Sequence, residues 1–110
     1  MRIGYIKGKL EKTLDDLVVA LCRDFERRAL ALSSDSLSRR TRAEFSYLNY
    51  KITSAVAEVV PEDLVFIFIK EIGERRGYAA SEIEGMSEGT YKSKKSTTKI
   101  NIAKKLHFCD

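Results

Sequence analysis

Apolar side chains recur at steps of three and four through the first half of the chain. Leu14, Leu17, Val18, Leu21, Cys22, Phe25, Ala29 and Leu32 form one such series, the spacing that lines up one face of an α-helix. Thr13 stands ahead of it as an N-cap, and Asp15 and Asp16 fall in the first turn, where the helix dipole favours anions. The spacing predicts a first helix from Thr13 to about Leu32, broken by the polar run 33–36. Phe45, Leu48, Ile52, Ala55, Val56 and Val59 make a second stripe that begins behind Ser38. A third helix opens at Pro61 with Glu62 and Asp63 after it, runs through the all-apolar stretch 64–69 and stops at Gly73 or Gly77. That stretch is β-branched and aromatic enough for a strand, but its continuation through Ile72 gives a helical length of about 12–15 residues. A helix apolar on every side belongs inside a bundle or at a dimer seam. The pattern therefore predicts a small all-α bundle, with Leu17, Leu21, Phe25, Phe45, Leu48, Ile52, Phe66 and Ile69 in its core.

Beyond Gly77 the character changes. Residues 78–84 suit a short helix ended by Gly85, and Ser87 is a second N-cap with Glu88 in the turn behind it. A helix over 88–106 puts Tyr91, Thr98, Ile102 and Leu106 on one side and Lys92, Lys95 and Lys99 on another. A short helix, a turn and a longer basic helix follow the plan of a helix-turn-helix. The expected organisation is one domain over 1–110: a loose arm at 1–12, a three-helix core at 13–76 and the helix pair at 77–106. At 110 residues there is no room for a second core.

Charge sharpens the division. Residues 1–86 carry fourteen Lys/Arg and fourteen Asp/Glu, whereas residues 87–110 carry six Lys against Glu88 and Asp110, so the net charge of +4 lies entirely in the last segment. A neutral body with a basic end expects an anionic partner there, or a solvated lysine face. Arg39, Arg40 and Arg42 crowd the start of the second helix, where the dipole disfavours cations; ordinary surface arginines explain that more simply than a ligand. No charged-then-apolar leader opens the sequence and the longest apolar run is far short of a bilayer span, so neither a signal peptide nor a membrane anchor is expected. Two cysteines, Cys22 and Cys109, build no disulfide framework, and a reducing, cytoplasmic setting follows as the expectation.

Catalytic and metal chemistry find no constellation. His107 stands alone, and with Cys22 and Cys109 it makes no zinc set, which needs four ligands at paired spacings. The glycine pairs Gly73–Gly77 and Gly85–Gly89 follow no strand and match no phosphate fingerprint. Glu82 and Glu84 would point to different sides of a short helix. The expectation is a protein that is not an enzyme, with no cofactor, no metal and no small-molecule substrate.

The run Gly85-Met86-Ser87-Glu88-Gly89-Thr90-Tyr91-Lys92-Ser93 resembles the turn and recognition-helix start of the sigma-factor region-four helix-turn-helix. The lead-in from Val60-Pro61-Glu62-Asp63 to Gly77-Tyr78 is similar as well, and so is the Lys104-Lys105-Leu106 ending. Small regulators of Firmicute phages and prophages, of the ArpU/RinA kind, share such an end, and the layout resembles theirs over about 61–106. Between Tyr78 and Ser87 the chain is one residue shorter than that pattern, and Glu84 falls where the family has a buried leucine. The resemblance implies a transcriptional regulator that binds double-stranded DNA. Ser87, Glu88, Thr90 and Tyr91 would then face base edges or the nearest phosphates, and Lys92, Lys94, Lys95 and Lys99 would neutralise phosphates. A homodimer through the apolar third helix would present two such elements. The competing expectation is a helical interaction module whose lysine-rich end docks on an acidic protein. A membrane-surface helix is disfavoured, because residues 87–110 lack a broad apolar face.

Overall fold

The computed structural model describes the backbone of residues 5 and 6 and the chain from 8 to 110. Among the described residues five α-helices make an all-α bundle: α1 (Lys12–Arg23), α2 (Phe25–Leu32), α3 (Arg39–Ala57), α4 (Val65–Gly73) and α5 (Glu88–Lys105). Ahead of α1, β1 (Tyr5–Ile6) pairs antiparallel with β2 (Lys9–Leu10) through a turn that holds Gly8 at φ +75°. The expected loose arm therefore contains a small hairpin, and β2 lies against α5; residues 1–4 and 7 lie outside the described residues.

The predicted first helix is two helices. It begins at Lys12 behind Glu11 rather than at Thr13, and it breaks at Asp24, whose backbone sits at φ −90° and ψ 0°. The break lets the Arg28 side chain turn inward, where it is 2 % exposed. Its guanidinium donates to Asn49 Oδ1 at 2.7 Å and to the Leu21 carbonyl at 2.6 Å, and Asp24 lies 3.3 Å away. A buried cation is tolerated only when its protons are satisfied in this way. The α1 stripe is also narrower than the eight-residue series suggested: Leu14, Val18, Val19 and Cys22 are buried, and Leu17 is 40 % exposed.

α3 begins behind Ser38 as expected, and Ser38 caps it, its Oγ accepting the Thr41 N–H at 3.1 Å. Arg42 in the first turn donates to the Leu32 and Ser34 carbonyls, so it closes the C-terminal end of α2. The third predicted helix starts later than its Pro61 opening suggested. Glu62–Leu64 forms a 3-10 turn and only Val65–Gly73 is α-helical. Arg75, at φ 54°, ends it: the Arg75 N–H reaches the Ile72 carbonyl and the Arg76 N–H the Glu71 carbonyl, a Schellman closure made without glycine. His107, at φ 62°, closes α5 in the same manner. Gly73 serves another purpose. An ideal Cβ there would lie 2.7 Å from Arg23 Cα, so α1 and α4 meet backbone to backbone.

The core joins Val18, Val19 and Cys22 of α1, Ile52, Ala55 and Val56 of α3, Phe68, Ile69 and Ile72 of α4, and Tyr91, Ile102 and Ala103 of α5. It is thus not confined to 13–76, because α5 is one of its walls. Of the expected core, Ile52 and Ile69 are buried, Leu21, Phe25 and Leu48 are half-buried at its edge, Phe45 is half-buried away from it under the Arg27 guanidinium, and Phe66 is 63 % exposed. No helix among the described residues is long and apolar enough to cross a membrane.

Candidate nucleic-acid interface

The setting of α5 depends on a carboxylate that the sequence did not single out. Glu71, on α4, is fully buried and makes no salt bridge among the described residues. Three donors converge on it. Tyr91 Oη at 2.6 Å and Ser81 Oγ at 2.8 Å donate to one carboxylate oxygen, and the Glu82 N–H at 2.7 Å donates to the other. Burial first, then the Glu71 hydrogen bond and charge, push the Tyr91 phenol up to about 12, so it remains a donor.

This cluster explains why the short helix expected over 78–84 does not form. Tyr78–Ala80 is a single 3-10 turn, and Ser81 is extended at ψ 145°. The hydroxyl of Ser81 and the N–H of Glu82 bond to Glu71 instead of to the preceding turn, which removes the start of a helical ladder. Glu84, the residue that would have filled an apolar slot, is exposed, and Ile83 is buried in its place. Gly85, at φ +77°, then turns the chain into α5. Ser87 caps that helix: its Oγ accepts the Thr90 N–H at 3.2 Å.

The eight residues expected at DNA separate into two groups. Ser87, Glu88, Thr90 and Lys92 are exposed around the first turns of α5, together with Gly89 and Ser93. Nothing lies within 4 Å of where a Gly89 Cβ would be, so the helix is open to close approach there. Lys92 pairs along the helix with Glu88 at 3.4 Å, both largely exposed, a contact of little strength in water. Tyr91 is the correction: it is 1 % exposed and points into the core, not toward a groove.

The remaining lysines hold α5 to the bundle. Lys94 donates to the Val59 carbonyl at 3.2 Å and Lys95 to the Arg76 carbonyl, with the Lys95 ammonium 5.3 Å from the Tyr91 ring centroid. Desolvation, then repulsion from Lys99, hold the Lys95 ammonium below the usual lysine range. Lys99 pairs with Asp15 of α1 at 2.7 Å, and Lys105 pairs with Glu58 just beyond α3. Asn101 adds a bond to the Ala55 carbonyl at 2.8 Å. A carbonyl partner leaves a lysine's charge intact, whereas a carboxylate offsets it. Lys94 and Lys95 therefore still contribute positive potential, and Lys99 is largely neutralised.

Elsewhere, Cys22 and Cys109 are free thiols, and burial pushes Cys22 up to about 12, which leaves it protonated and inert. Among the described residues no group of three or more His, Cys, Asp or Glu is placed to hold a metal ion. Comparison with protein-family models, curated proteins and solved structures finds no match to this chain.

Proposed function

We propose that this chain is a DNA-binding regulator that lays the outward face of the N-terminal half of α5 in a groove of double-stranded DNA, in the manner of the phage regulators its C-terminal end resembles. The observation that carries the reading is the rotational setting of α5. Tyr91 is locked inward on Glu71, which leaves Ser87, Gly89, Thr90, Lys92 and Ser93 outward as a small, polar, capped helix end. Such a face suits close approach to base edges, and an exposed helix N-terminus favours phosphate. The net charge of +4 is of the right sign.

The reading does without the short helix of a helix-turn-helix, whose place against α5 is taken by the segment tied to Glu71. It also reduces the set of phosphate-neutralising lysines. Lys92 remains on the outward face, Lys94 and Lys95 add potential from half-buried positions, and Lys99 drops out. Competition from an acidic protein for the same face is the alternative, and it has no base-edge component.

Fluorescence anisotropy with a mixed-sequence duplex tests this. One direct phosphate contact, from Lys92, gives a slope of log affinity on log salt of about −1 per chain, at roughly −0.9 per contact. Lys92→Gln should flatten the slope by about one unit for every duplex, and Thr90→Leu should alter sequence preference with the slope kept. Absence of salt-dependent binding, or binding unchanged by Lys92→Gln and Thr90→Leu together, would refute the proposal.

A further inference from the structure

On a different face, the junction of α1 and α2 and the facing side of α4 enclose an apolar groove of about 580 Å³. Cys22, Phe25 and Ala29 line one wall, and Phe66 and Ile69 line the other. Phe66 stands at its lip, 63 % exposed, with its ring centroid 5.9 Å from that of Phe25. Leu30, one helical turn beyond Glu26 on α2, is 67 % exposed. The rim carries Arg23 and Lys70 as cations and Glu26 and Glu74 as anions. Glu26 makes no ion pair among the described residues, and Lys70 reaches only Glu82, at 3.5 Å with both side chains about half exposed.

We infer that this groove is the seam of a two-fold symmetric homodimer, in which Phe66 of each copy enters the groove of the other. A protruding ring and a hollow of matching chemistry occupy one surface, so the surface complements a second copy of itself in shape. Its rim is balanced, two positive against two negative, which suits neither a strongly acidic nor a strongly basic partner. With the two-fold axis along the groove, α2 of one copy lies over α4 of the other, and the unpaired Glu26 faces Lys70 of the second copy. Both criteria are those of an isologous interface, where one patch is used twice.

The contact is small. Helices of eight and nine residues give a face about 12–14 Å long, which places the seam at the low end of specific interfaces, below about 1,200 Å² in total. The dimer is accordingly weak and reversible. The inference does not depend on DNA binding, since it uses α2 and α4 rather than α5.

Sedimentation velocity from low to several hundred micromolar protein tests it. The expected result is a mass that rises from the 12.5 kDa monomer to twice that value. Phe66→Ser, which replaces an exposed ring and leaves the core intact, should remain monomeric with an unchanged circular dichroism spectrum. Glu26→Lys alone should weaken dimerisation about tenfold, and the same chain carrying Glu26→Lys and Lys70→Glu should recover it, because the swapped pair re-forms across the axis. A wild type monomeric throughout, a Phe66→Ser variant that dimerises as the wild type does, or a failure of the double swap to recover would each overturn the proposal.

Discussion

Replacing Glu71 by Gln tests the cluster that fixes both the 77–87 segment and the setting of α5. The glutamine is nearly isosteric, so packing is preserved and the change falls on hydrogen bonding. Oε1 now accepts from Tyr91 at 2.6 Å and from Ser81 at 2.8 Å, and Oε2 accepts from the Glu82 N–H at 2.7 Å. In the variant, the amide oxygen serves the two hydroxyls and the NH2 faces the Glu82 N–H, donor against donor. One charge-assisted bond is lost, worth about 1.5–3 kcal/mol, and the stranded N–H adds about 1–3 kcal/mol. Removal of the carboxylate's own desolvation cost offsets part of that sum. We expect a net loss of about 2–4 kcal/mol, read from urea denaturation as a lower midpoint at constant m value. For a chain of this size that is a fall in melting temperature of roughly 8–16 °C. The amide of Glu82 should also lose protection in hydrogen exchange. A Glu71→Gln protein within 0.5 kcal/mol of wild type, with that amide still protected, would refute the assignment of Glu71 as the organising acceptor.

Three further expectations follow from packing and ionisation. Gly73→Ala would gain about 1 kcal/mol in an isolated helix, but its Cβ meets Arg23 backbone atoms at 2.7 Å, so a net destabilisation of about 1–3 kcal/mol is expected; a melting temperature at or above wild type would count against close α1–α4 contact. Tyr91 is raised from an ordinary value of 10.0 to about 12 in the fold, so its contribution is complete below pH 10 and is lost as pH rises toward 12. Tyr91→Phe should therefore be less stable than wild type at neutral pH, and its stability should fall less over that alkaline interval; parallel curves would exclude the effect. Of the two thiols, Cys109 is half-buried and Cys22 is 3 % exposed. Disulfide-exchange titration should find Cys22 silent until denaturant is added, and two equivalents reacting at one rate in the native protein would contradict its burial.

The all-α character was legible because burial periodicity reports on long helices directly. The helix that begins behind Ser38 and carries the stripe from Phe45 to Val59 was legible nearly as it stands. The errors arose where polar side chains act on the backbone at long range. Asp24 and Arg28 divide the first helix, since Arg28 finds Asn49 across the α2–α3 hairpin, and a sequence scan cannot see that partner. Arg75 and His107 occupy left-handed C-terminal positions usually given to glycine; the end of α4 at Gly73 nevertheless matches one of the two expected stops, and it is the start that is misplaced, because residues 62–64 form a 3-10 turn. Leu17 and Phe66 fit their apolar stripes and are nevertheless exposed. A helix face wide enough for eight apolar residues is wider than the neighbour that covers it.

The candidate site was legible in outline and misassigned in detail, for reasons that bear on what α5 is. Net charge located the basic helix, and the Ser87 cap and the outward Thr90 and Lys92 follow from local spacing. Charge counting, however, treats each lysine alike, and an amphipathic stem lets a lysine lie along the fold and deliver its ammonium to an internal acceptor. Lys94, Lys95, Lys99 and Lys105 do this. They stitch a helix of low hydrophobicity to α1, to the end of α3 and to the Arg76 carbonyl beyond α4. A helix whose middle contains Ser96, Thr97 and Thr98, all weak helix formers, holds its place through these contacts and through Tyr91. Its free surface is consequently concentrated in the first turns, around Gly89, where no lysine is tethered. The same packing that removes Lys99 from a phosphate-tracking row makes the remaining face rigid. A rigid, small and polar helix end is better suited to reading a groove than a longer row of mobile charges would be.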